Sequence, residues 1–341
     1  MDSFVSIITP VFNGDLVLRR CVESIARAAE GFAVELIIVD DGSTDGTPEV
    51  ARELAATWPW IRYIRQENGG PSSARNAALE LAQGAYIGFV DADDCVSPSF
   101  VARLMEVCAD SPDIVVFGYQ RVLQDGPVTV NSPHPIRHIC EGERLLEKVS
   151  SDRELFWYSG TKLFRAELVD DARFDERIRL GEDTIFNMQA VARARVVVRI
   201  PDVLYHYHET SGSLSSPTFK PGLLENMEAH FAGRLRVHEQ LGQQVGETIR
   251  EDICQYYLGH VVPWLISNAM RANEQDQLGE LARIREASFV ATCFAWGGKV
   301  KGSRGLIVML LLFRLRLLRL LRNLMARRQV TVRDANAGGG V

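Results

Sequence analysis

Residues 86–94 read YIGFVDADD, an apolar run that ends abruptly in three acidic residues. A short apolar run bounded by a glycine and by acids predicts a buried β-strand. Ligands of parallel sheets bind beyond the carboxyl ends of the strands, and Asp91 and Asp93 would point the same way in an extended chain. Two such oxygen donors suit Mg²⁺ or Mn²⁺. The stretch therefore predicts either a cation site or a polar turn that caps the next helix.

Similar apolar runs predict further strands on both sides of this one, at residues 5–9, 35–39, 61–65 and 114–117. Helical periodicity and capping residues between the runs predict helices that begin near residues 15, 47, 72 and 97. Strands that alternate with helices in this way indicate an α/β fold with a mostly parallel sheet.

The composition is that of an ordinary globular protein. The 341 residues are 46% hydrophobic and 24% charged, which is enough for one large domain or two modest ones. Six cysteines are scattered without a CxxC pair or a zinc-ligand spacing, and the start of the chain shows no signal peptide. We therefore expect reduced thiols in a cytosolic protein.

The charge is distributed unevenly along the chain. The net charge is −6, but residues 299–333 contain ten Lys or Arg and no Asp or Glu. The rest of the chain carries 28 basic and 44 acidic residues. An acidic body with a basic, leucine-rich tail is typical of an enzyme bound to a surface, and it disfavours a nucleic-acid binder.

Several common phosphate and metal motifs are absent. The segment from Asp41 to Gly46 begins like a calcium loop, but the twelfth position is Arg52, where a bidentate glutamate is required. No GxGxxG follows an early strand, and no GxxxxGK[ST] loop occurs. A calcium loop, a dinucleotide fingerprint and a Walker-type phosphate loop are therefore excluded.

Seven short motifs occur in a fixed order. They are VSIITPVFN at 5–13, VDDGSTDGT at 39–47, NGGPSSARN at 68–76, FVDADD at 89–94, KLFR at 162–165, GEDT at 181–184 and LYHYH at 204–208, the last leading to Ser211-Gly212-Ser213. Over about residues 4–215 the chain thus resembles the family 2 glycosyltransferases, which have the GT-A fold. Each motif alone is weak, but together and in this order they are specific.

The resemblance implies a site for a nucleoside-diphosphate sugar. The residues that match the donor-binding positions are Thr9, Pro10, Asp40, Asp41, Arg75, Asp91, Ala92 and Asp93. Asp41 or Asp40 would accept a hydrogen bond from the base or the ribose, and Arg75 would lie near the diphosphate, close to a helix N-terminus with free amides. The alternatives are turn capping by the two aspartates and a surface salt bridge for Arg75.

The resemblance also implies a metal-dependent reaction with inversion. Asp93 would be the direct ligand of Mn²⁺ or Mg²⁺ in this DXD motif, with Asp91 contacting the ribose or reaching the metal through water. His208 occupies a region where the family often has an arginine, and it is a further metal ligand, a phosphate contact or a structural histidine. Asp94 is expected to cap the helix that follows.

The acceptor side of the reaction is assigned to the GEDT motif. Asp183 would be the general base that deprotonates the acceptor hydroxyl, and Glu182 would position the base or the acceptor. An inverting enzyme needs no covalent intermediate. Alternatively, both acids simply favour the first turn of the helix that they begin.

The sequence suggests five segments. They are a nucleotide-sugar-binding half at 1–118, an acceptor-binding half at 119–218, a helical region at 219–298, a basic amphipathic tail at 299–330 and a disordered end at 331–341. The longest apolar run in the tail is too short to cross a bilayer. We expect the tail to bind an anionic membrane surface, or else to dock onto a partner protein.

We therefore expect an inverting glycosyltransferase on the inner face of the cell membrane. It would transfer a hexosyl or N-acetylhexosaminyl group, with a UDP-sugar as the favoured donor, to a glycan or lipid-linked acceptor in cell-surface polysaccharide synthesis. A processive polysaccharide synthase is disfavoured because the chain lacks a QxxRW motif. An inactive sugar-nucleotide-binding protein is disfavoured by the presence of Asp91, Asp93 and Asp183, and a nucleotidyltransferase is disfavoured because no glycine-rich activation loop lies near the first strand.

Overall fold

The computed structural model describes residues 5–122, 129–139, 142–208, 218–297 and 300–326. The chain divides into two compact units, Met1–Ser215 and Ser216–Val341. The described part of the first unit contains the sheet and that of the second is helical. The Ser211-Gly212-Ser213 motif and the expected disordered end at 331–341 lie outside the described residues.

The first unit is built on a ten-stranded sheet. Its strands are β1 (Val5–Val11), β2 (Val34–Asp40), β3 (Ile61–Arg65), β4 (Tyr86–Phe89), β5 (Cys95–Val96), β6 (Ile114–Val122), β7 (Thr129–Asn131), β8 (Ile136–Ile139), β9 (Lys162–Arg165) and β10 (Val196–His208). The main order is β3-β2-β1-β4-β9-β6-β10-β5, with β7 beside β6 and β8 beside β10.

The longest ladders of this sheet are parallel. They join β1 to β2, β2 to β3, β1 to β4 and β6 to β10, whereas the short strands β5, β7, β8 and β9 pair antiparallel. Strands β1, β2 and β4 are buried along their whole length, as their apolar runs predict. With the helical C-terminal region, this sheet confirms the predicted α/β fold of the GT-A type.

The last strand of the sheet contains a proline. The apolar pattern suggests separate strands at 195–200 and 203–208, but the structure has the continuous β10, whose pairing with β6 shifts register between Arg199 and Val203. Pro201 lies within this interval, and proline has no N–H to donate to a ladder. The proline therefore produces an irregularity in the strand and does not end it.

Helices follow the strands of the first unit. They are α1 (Leu18–Ala28), α2 (Thr47–Thr57), α3 (Pro71–Leu79), α4 (Phe100–Cys108), α5 (Gly142–Leu145), α6 (Arg153–Phe156), α7 (Ala166–Val169) and α8 (Glu182–Arg193). The prediction that Asp15 caps the first helix is wrong. Helix α1 begins three residues later, at Leu18, with Val17 at the cap position, and the Asp15 N–H donates to Asp45 Oδ2 at 3.2 Å.

A buried aromatic cluster fixes α8 against β4. The Phe89 ring at the end of β4 lies 6.2 Å from Phe164, 5.3 Å from Phe174 and 5.4 Å from Phe186, in edge-to-face geometry. Phe174 and Phe186 stack in parallel at 4.1 Å. Each such pair contributes about 0.5–1.5 kcal/mol beyond area burial. Since Phe186 lies in the first half of α8, the cluster holds the start of that helix near the carboxyl end of β4.

The second unit is an assembly of helices. They are α9 (Leu223–Gln240), α10 (Glu247–Tyr256), a π-helical turn (Tyr257–Val261), α11 (Val262–Ala269), α12 (Glu274–Glu286), α13 (Ser288–Ala295) and α14 (Arg304–Arg314), and residues 318–326 are also helical. Arg234 of α9 is fully buried and forms an ion pair with Asp252 of α10. None of the described helices has the length and apolarity that a membrane crossing requires.

The tail residues 304–324 have one buried and one exposed apolar set. Leu310, Phe313 and Leu321 are buried, and the Phe313 carbonyl accepts a hydrogen bond from Arg285 Nε at 3.2 Å. Seven further large apolar side chains are 42% to 65% exposed; they are Ile307, Val308, Leu311, Leu315, Leu317, Leu320 and Leu324. We call this second set, with the arginines between them, the exposed tail face.

Candidate active site

The loops after β1 and β2 are joined by a set of hydrogen bonds. Asn13, which has a left-handed φ of 50°, accepts the Thr44 N–H on its side-chain oxygen at 2.8 Å, and its own N–H donates to Ser43 Oγ at 3.0 Å. The Gly14 N–H donates to Thr47 Oγ1 at 2.8 Å. Much of the polar DDGSTDGT motif therefore serves to hold the two strand ends together.

Asp40 is fully buried at the end of β2. Its carboxylate accepts hydrogen bonds from the Ser43 N–H at 2.8 Å and from the Tyr63 hydroxyl at 2.9 Å. Arg65 Nε lies 3.5 Å from the same carboxylate. Both oxygens of Asp40 thus have partners within the protein, and the turn-capping alternative describes these contacts.

Asp41 closes the loop that precedes α3. Its carboxylate accepts from the Gln66 side chain at 2.8 Å and from the backbone N–H groups of Gly69 at 2.9 Å and Gly70 at 2.7 Å. Gly70 has a φ of +90°, a conformation that favours glycine. These two amides, which precede the helix of Arg75, are therefore already occupied by a carboxylate of the protein.

Thr9 and Pro10 lie inside β1, where both are buried. Strand β1 is enclosed by β2 on one side and β4 on the other. The Thr9 hydroxyl makes no hydrogen bond to the described residues. Thr9 and Pro10 thus lie inside the sheet, just before the carboxyl end of β1. The Thr9 hydroxyl retains hydrogen-bonding capacity.

The Asp91–Asp93 turn projects from the end of β4. The Asp91 side chain is 45% exposed, Ala92 is buried and Asp93 is half-buried. The Asp93 carbonyl accepts a hydrogen bond from Arg20 Nη2 at 2.6 Å, which attaches the turn to α1. The two carboxylates therefore lie at the carboxyl edge of the sheet, as the strand pattern predicts.

Arg75 joins Asp91, which is predicted to lie on the donor side, to Glu182, which is predicted to lie on the acceptor side. Its guanidinium donates to Asp91 Oδ1 at 2.7 Å and to Glu182 Oε1 at 2.9 Å, and it lies 5.2 Å from the centre of the Phe174 ring. Burial alone would lower the pKa of Arg75, but the surrounding carboxylates raise it above its usual range. The guanidinium is 6% exposed, so this is a buried ion-pair network and not a surface salt bridge.

Glu182 and Asp183 form the first turn of α8, after Gly181 with its left-handed φ of 85°. Asp183 Oδ1 accepts a hydrogen bond from Ser159 Oγ at 2.7 Å. Burial raises the pKa of Glu182 to about 7, the charge of Asp183 adds to the rise, and Arg75 opposes it. The two adjacent acids thus have different environments, since Glu182 faces a guanidinium and Asp183 faces a hydroxyl.

Asp94 belongs to the fold in a way that the sequence did not indicate. Its carboxylate accepts hydrogen bonds from the Tyr205 hydroxyl and, at 2.8 Å, from the His208 N–H. The expectation that Asp94 caps the next helix is wrong, since Ser99 precedes α4. Burial and the charge of Asp91 raise the pKa of Asp94 to about 8. Tyr205 in the LYHYH motif was the available signal for this contact, because a buried hydroxyl needs a hydrogen-bond partner.

Two carboxylates near β4 are of the chemical type that a hard divalent cation binds. Mg²⁺ binds one or two carboxylates together with substrate phosphates, and does not need a full protein cage. Asp91 uses one carboxylate oxygen for Arg75 and is almost half exposed, and the described residues contain no cluster of three or more His, Cys, Asp or Glu suited to a metal. Burial and the charge of Arg20 lower the pKa of His208, which favours its neutral form.

Comparison with known proteins identifies related sequences. A model described as Glycosyl transferase family 2 matches residues 6–171. The uncharacterized glycosyltransferase EpsJ of Bacillus subtilis (strain 168) is 33% identical over 274 residues, which are 79% of this chain and 79% of EpsJ. The minor teichoic acid biosynthesis protein GgaA of the same organism is 29% identical over 213 residues, 60% of this chain and 47% of GgaA.

A solved structure has the same fold. The crystal structure of S. aureus TarS 1–349 matches with a TM-score of 0.66 and 18% identity, over 96% of this chain and 91% of that one. TarS has also been solved in complex with UDP-GlcNAc and with UDP. At this identity the likeness supports the fold alone.

Proposed function

Because this chain belongs to glycosyltransferase family 2, we propose that it transfers a sugar from a nucleoside-diphosphate sugar to a hydroxyl group of a glycan or lipid-linked acceptor, with inversion at the anomeric carbon. The observation that carries the proposal is the position of Arg75 between Asp91 and Glu182. This contact brings the predicted donor-side and acceptor-side carboxylates to one guanidinium, although they are far apart in the sequence.

The donor is a UDP-sugar, and the sugar is a hexose or an N-acetylhexosamine. TarS, which shares the fold, binds UDP-GlcNAc and UDP, and this supports the choice of nucleotide. The relation to GgaA, a teichoic acid biosynthesis protein, supports an acceptor in cell-surface polymer synthesis. dTDP-sugars and GDP-sugars are the alternative donors to compare with UDP-sugars.

Asp91 and Asp93 would hold Mn²⁺ or Mg²⁺ in this proposal, with His208 as a further candidate ligand. The cation would neutralise the negative charge that builds up on the departing diphosphate. Arg75 does not take the role of the cation. Its guanidinium is stabilised by the surrounding carboxylates and is hydrogen-bonded to Asp91. It orients that carboxylate and links it to the acceptor side.

Asp183 takes the proton of the acceptor hydroxyl. The hydroxyl oxygen attacks the anomeric carbon, the bond from that carbon to the diphosphate breaks, and the nucleoside diphosphate leaves with the bonding electrons. The Ser159 hydroxyl holds one oxygen of Asp183 at 2.7 Å, which leaves the other oxygen for the acceptor. Glu182, bound to Arg75, positions the neighbouring carboxylate.

The exposed tail face attaches the enzyme to the inner face of the cell membrane. Its aliphatic side chains can enter the headgroup boundary, and the arginines between them are attracted to anionic lipid. A lipid-linked acceptor would be presented at the same surface. Docking of this face onto a partner protein is the competing role, and a liposome assay distinguishes the two.

The test is a screen of donor hydrolysis and binding. UDP-, dTDP- and GDP-sugars are incubated with Mn²⁺, Mg²⁺ or a chelator, and the released nucleoside diphosphate is measured for the wild type and Asp183→Asn. We expect metal-dependent release of UDP that the substitution removes, and the exposed Asp170→Asn serves as the matched control. Donor binding without release supports the inactive binding protein, and no binding of any donor contradicts the proposal.

A further inference from the structure

Lys162 is a buried lysine for which the proposed reaction has no role. It is the first residue of β9, pairs with Val116 of β6, and is 1% exposed. Its Nζ donates to the Tyr158 carbonyl, and it lies 3.5 Å from Thr161 Oγ1. Burying an amine in this way is costly unless the group is hydrogen-bonded and near opposite charge.

The partners of Lys162 belong to the turn that holds Asp183. Residues Ser159–Thr161 form one 3₁₀ turn, and Ser159 Oγ donates to Asp183 Oδ1 at 2.7 Å. A Cβ added at Gly160 would lie 3.2 Å from the Tyr205 ring. The turn is therefore held by Lys162 at its start and rests against Tyr205 at its middle, with the serine directed at the carboxylate.

We propose that Lys162 is a positioning residue that sets the orientation of Asp183 through the turn bearing Ser159, an inference that rests on the proposed function. The amine fixes the Tyr158 carbonyl, the peptide next to it carries Ser159, and the serine hydroxyl fixes one oxygen of Asp183. A reacting group that is displaced by about 1 Å can lose about 100-fold in rate. A residue that fixes the turn therefore affects the rate of the proposed reaction through the position of Asp183.

The charges around Lys162 are consistent with this task. Burial lowers its pKa to about 7, and the carboxylates of Asp183, Asp152 and Glu154 oppose that effect, whereas Arg199 adds to it. Arg199 itself pairs with Asp152 at 2.5 Å and with Glu154 at 2.8 Å. Asp183 is thus the carboxylate near Lys162 that this neighbouring arginine does not neutralise.

A double-mutant cycle tests the proposal. Turnover of the donor found in the screen is measured for the wild type, Lys162→Met, Ser159→Ala and the double variant. We expect each single substitution to lower kcat roughly 10- to 100-fold with the donor KM within about twofold. Because both act through one chain of contacts, the double variant should lose no more than the larger single effect. Multiplying losses, or a loss confined to KM, would overturn the inference.

Two controls separate positioning from damage to the fold. Methionine has a volume similar to that of lysine, so Lys162→Met leaves no cavity, but the Tyr158 carbonyl loses its donor, which costs about 1–3 kcal/mol. We therefore expect a lowered melting temperature with cooperative unfolding retained, and kcat is measured at a temperature at which both proteins are folded. Ser159→Thr retains the hydroxyl and should recover kcat relative to Ser159→Ala, and failure to recover contradicts the proposal. The exposed Lys148→Met should leave kcat unchanged.

An activity-independent readout keeps the inference separate from the proposed function. If the wild type releases no nucleotide from any donor, the proposed function fails, and hydrogen exchange then decides the structural claim. Lys162→Met should speed amide exchange at least about tenfold at residue 162, whose N–H donates to the Ser159 carbonyl, and at Thr184, whose N–H donates to the Gly181 carbonyl, whereas Ser159→Ala should do so at Thr184 only. Unchanged exchange in Lys162→Met refutes the link.

Discussion

Replacing Glu182 by glutamine should remove a pH-dependent cost to the stability of the folded protein. The Glu182 side chain is 12% exposed, and its pKa rises from 4.5 to about 7 on folding, because of burial first and the charge of Asp183 second. A carboxyl whose pKa is raised in the folded state stabilises that state below its unfolded pKa. This contribution is lost as the pH rises through the folded pKa.

The shift sets the size of the effect. At roughly 1.4 kcal/mol per pKa unit, a rise from 4.5 to about 7 corresponds to about 3 kcal/mol in the free energy of unfolding. The wild type should lose this amount between about pH 4 and pH 8 on account of Glu182. Glutamine does not titrate, and its amide oxygen can still accept the hydrogen bond of Arg75. The variant should therefore match the wild type near pH 4 and exceed it by about 3 kcal/mol near pH 8.

Urea unfolding measures this difference. Circular dichroism is followed at four pH values and constant ionic strength for the wild type and Glu182→Gln, with linear extrapolation to water. Glu167→Gln is the matched control, because Glu167 is an exposed glutamate in the first turn of another helix of the same unit. The reasoning is refuted if the two proteins differ by the same free energy of unfolding at pH 4 and at pH 8. Such a result would show that ionisation of Glu182 does not destabilise the folded state.

Four further substitutions or deletions have expected outcomes. Asp93→Asn should lower metal-dependent turnover roughly 100-fold or more and weaken donor binding, and unchanged activity that still requires metal contradicts its role as a ligand. Asp183→Asn should keep UDP binding in calorimetry but lose transfer, and loss of UDP binding would assign it to the donor side. Asp41→Asn should lower the free energy of unfolding by about 2–4 kcal/mol in urea, because an amide group would face backbone N–H donors; an unchanged midpoint contradicts this. Deleting residues 299–341 should release the protein from anionic liposomes, and undiminished co-sedimentation rules out the tail as the anchor.

The sequence predicted the strand ends well because local pattern determines them. Asp40 and Asp91 follow apolar runs, and the structure has both at the carboxyl edge of the sheet. The adjacent acids Glu182 and Asp183 likewise predict the first turn of a helix, and α8 begins at Glu182. These features depend on residues a few positions apart, so periodicity and turn chemistry are sufficient.

The contacts between distant segments could not be predicted in the same way. Arg75 and Glu182 are more than 100 residues apart, and their ion pair depends on how the aromatic cluster packs α8 against β4. Ser159 carries no motif, and its bond to Asp183 depends on a turn held by a buried lysine. Asp94 was assigned to a cap because its partners on β10 lie far away in the chain.

The hydrogen bonds between Asn13 and the DDGSTDGT loop affect how the motif should be interpreted in related sequences. Ser43, Thr44 and the carboxylates of Asp40 and Asp41 all hold backbone or side chains of the fold itself. A paralogue that had lost catalysis would still gain these structural contacts from the motif. The motif therefore reports on the architecture, and under the proposed mechanism the positions of Ser159 and Asp183 report on catalysis.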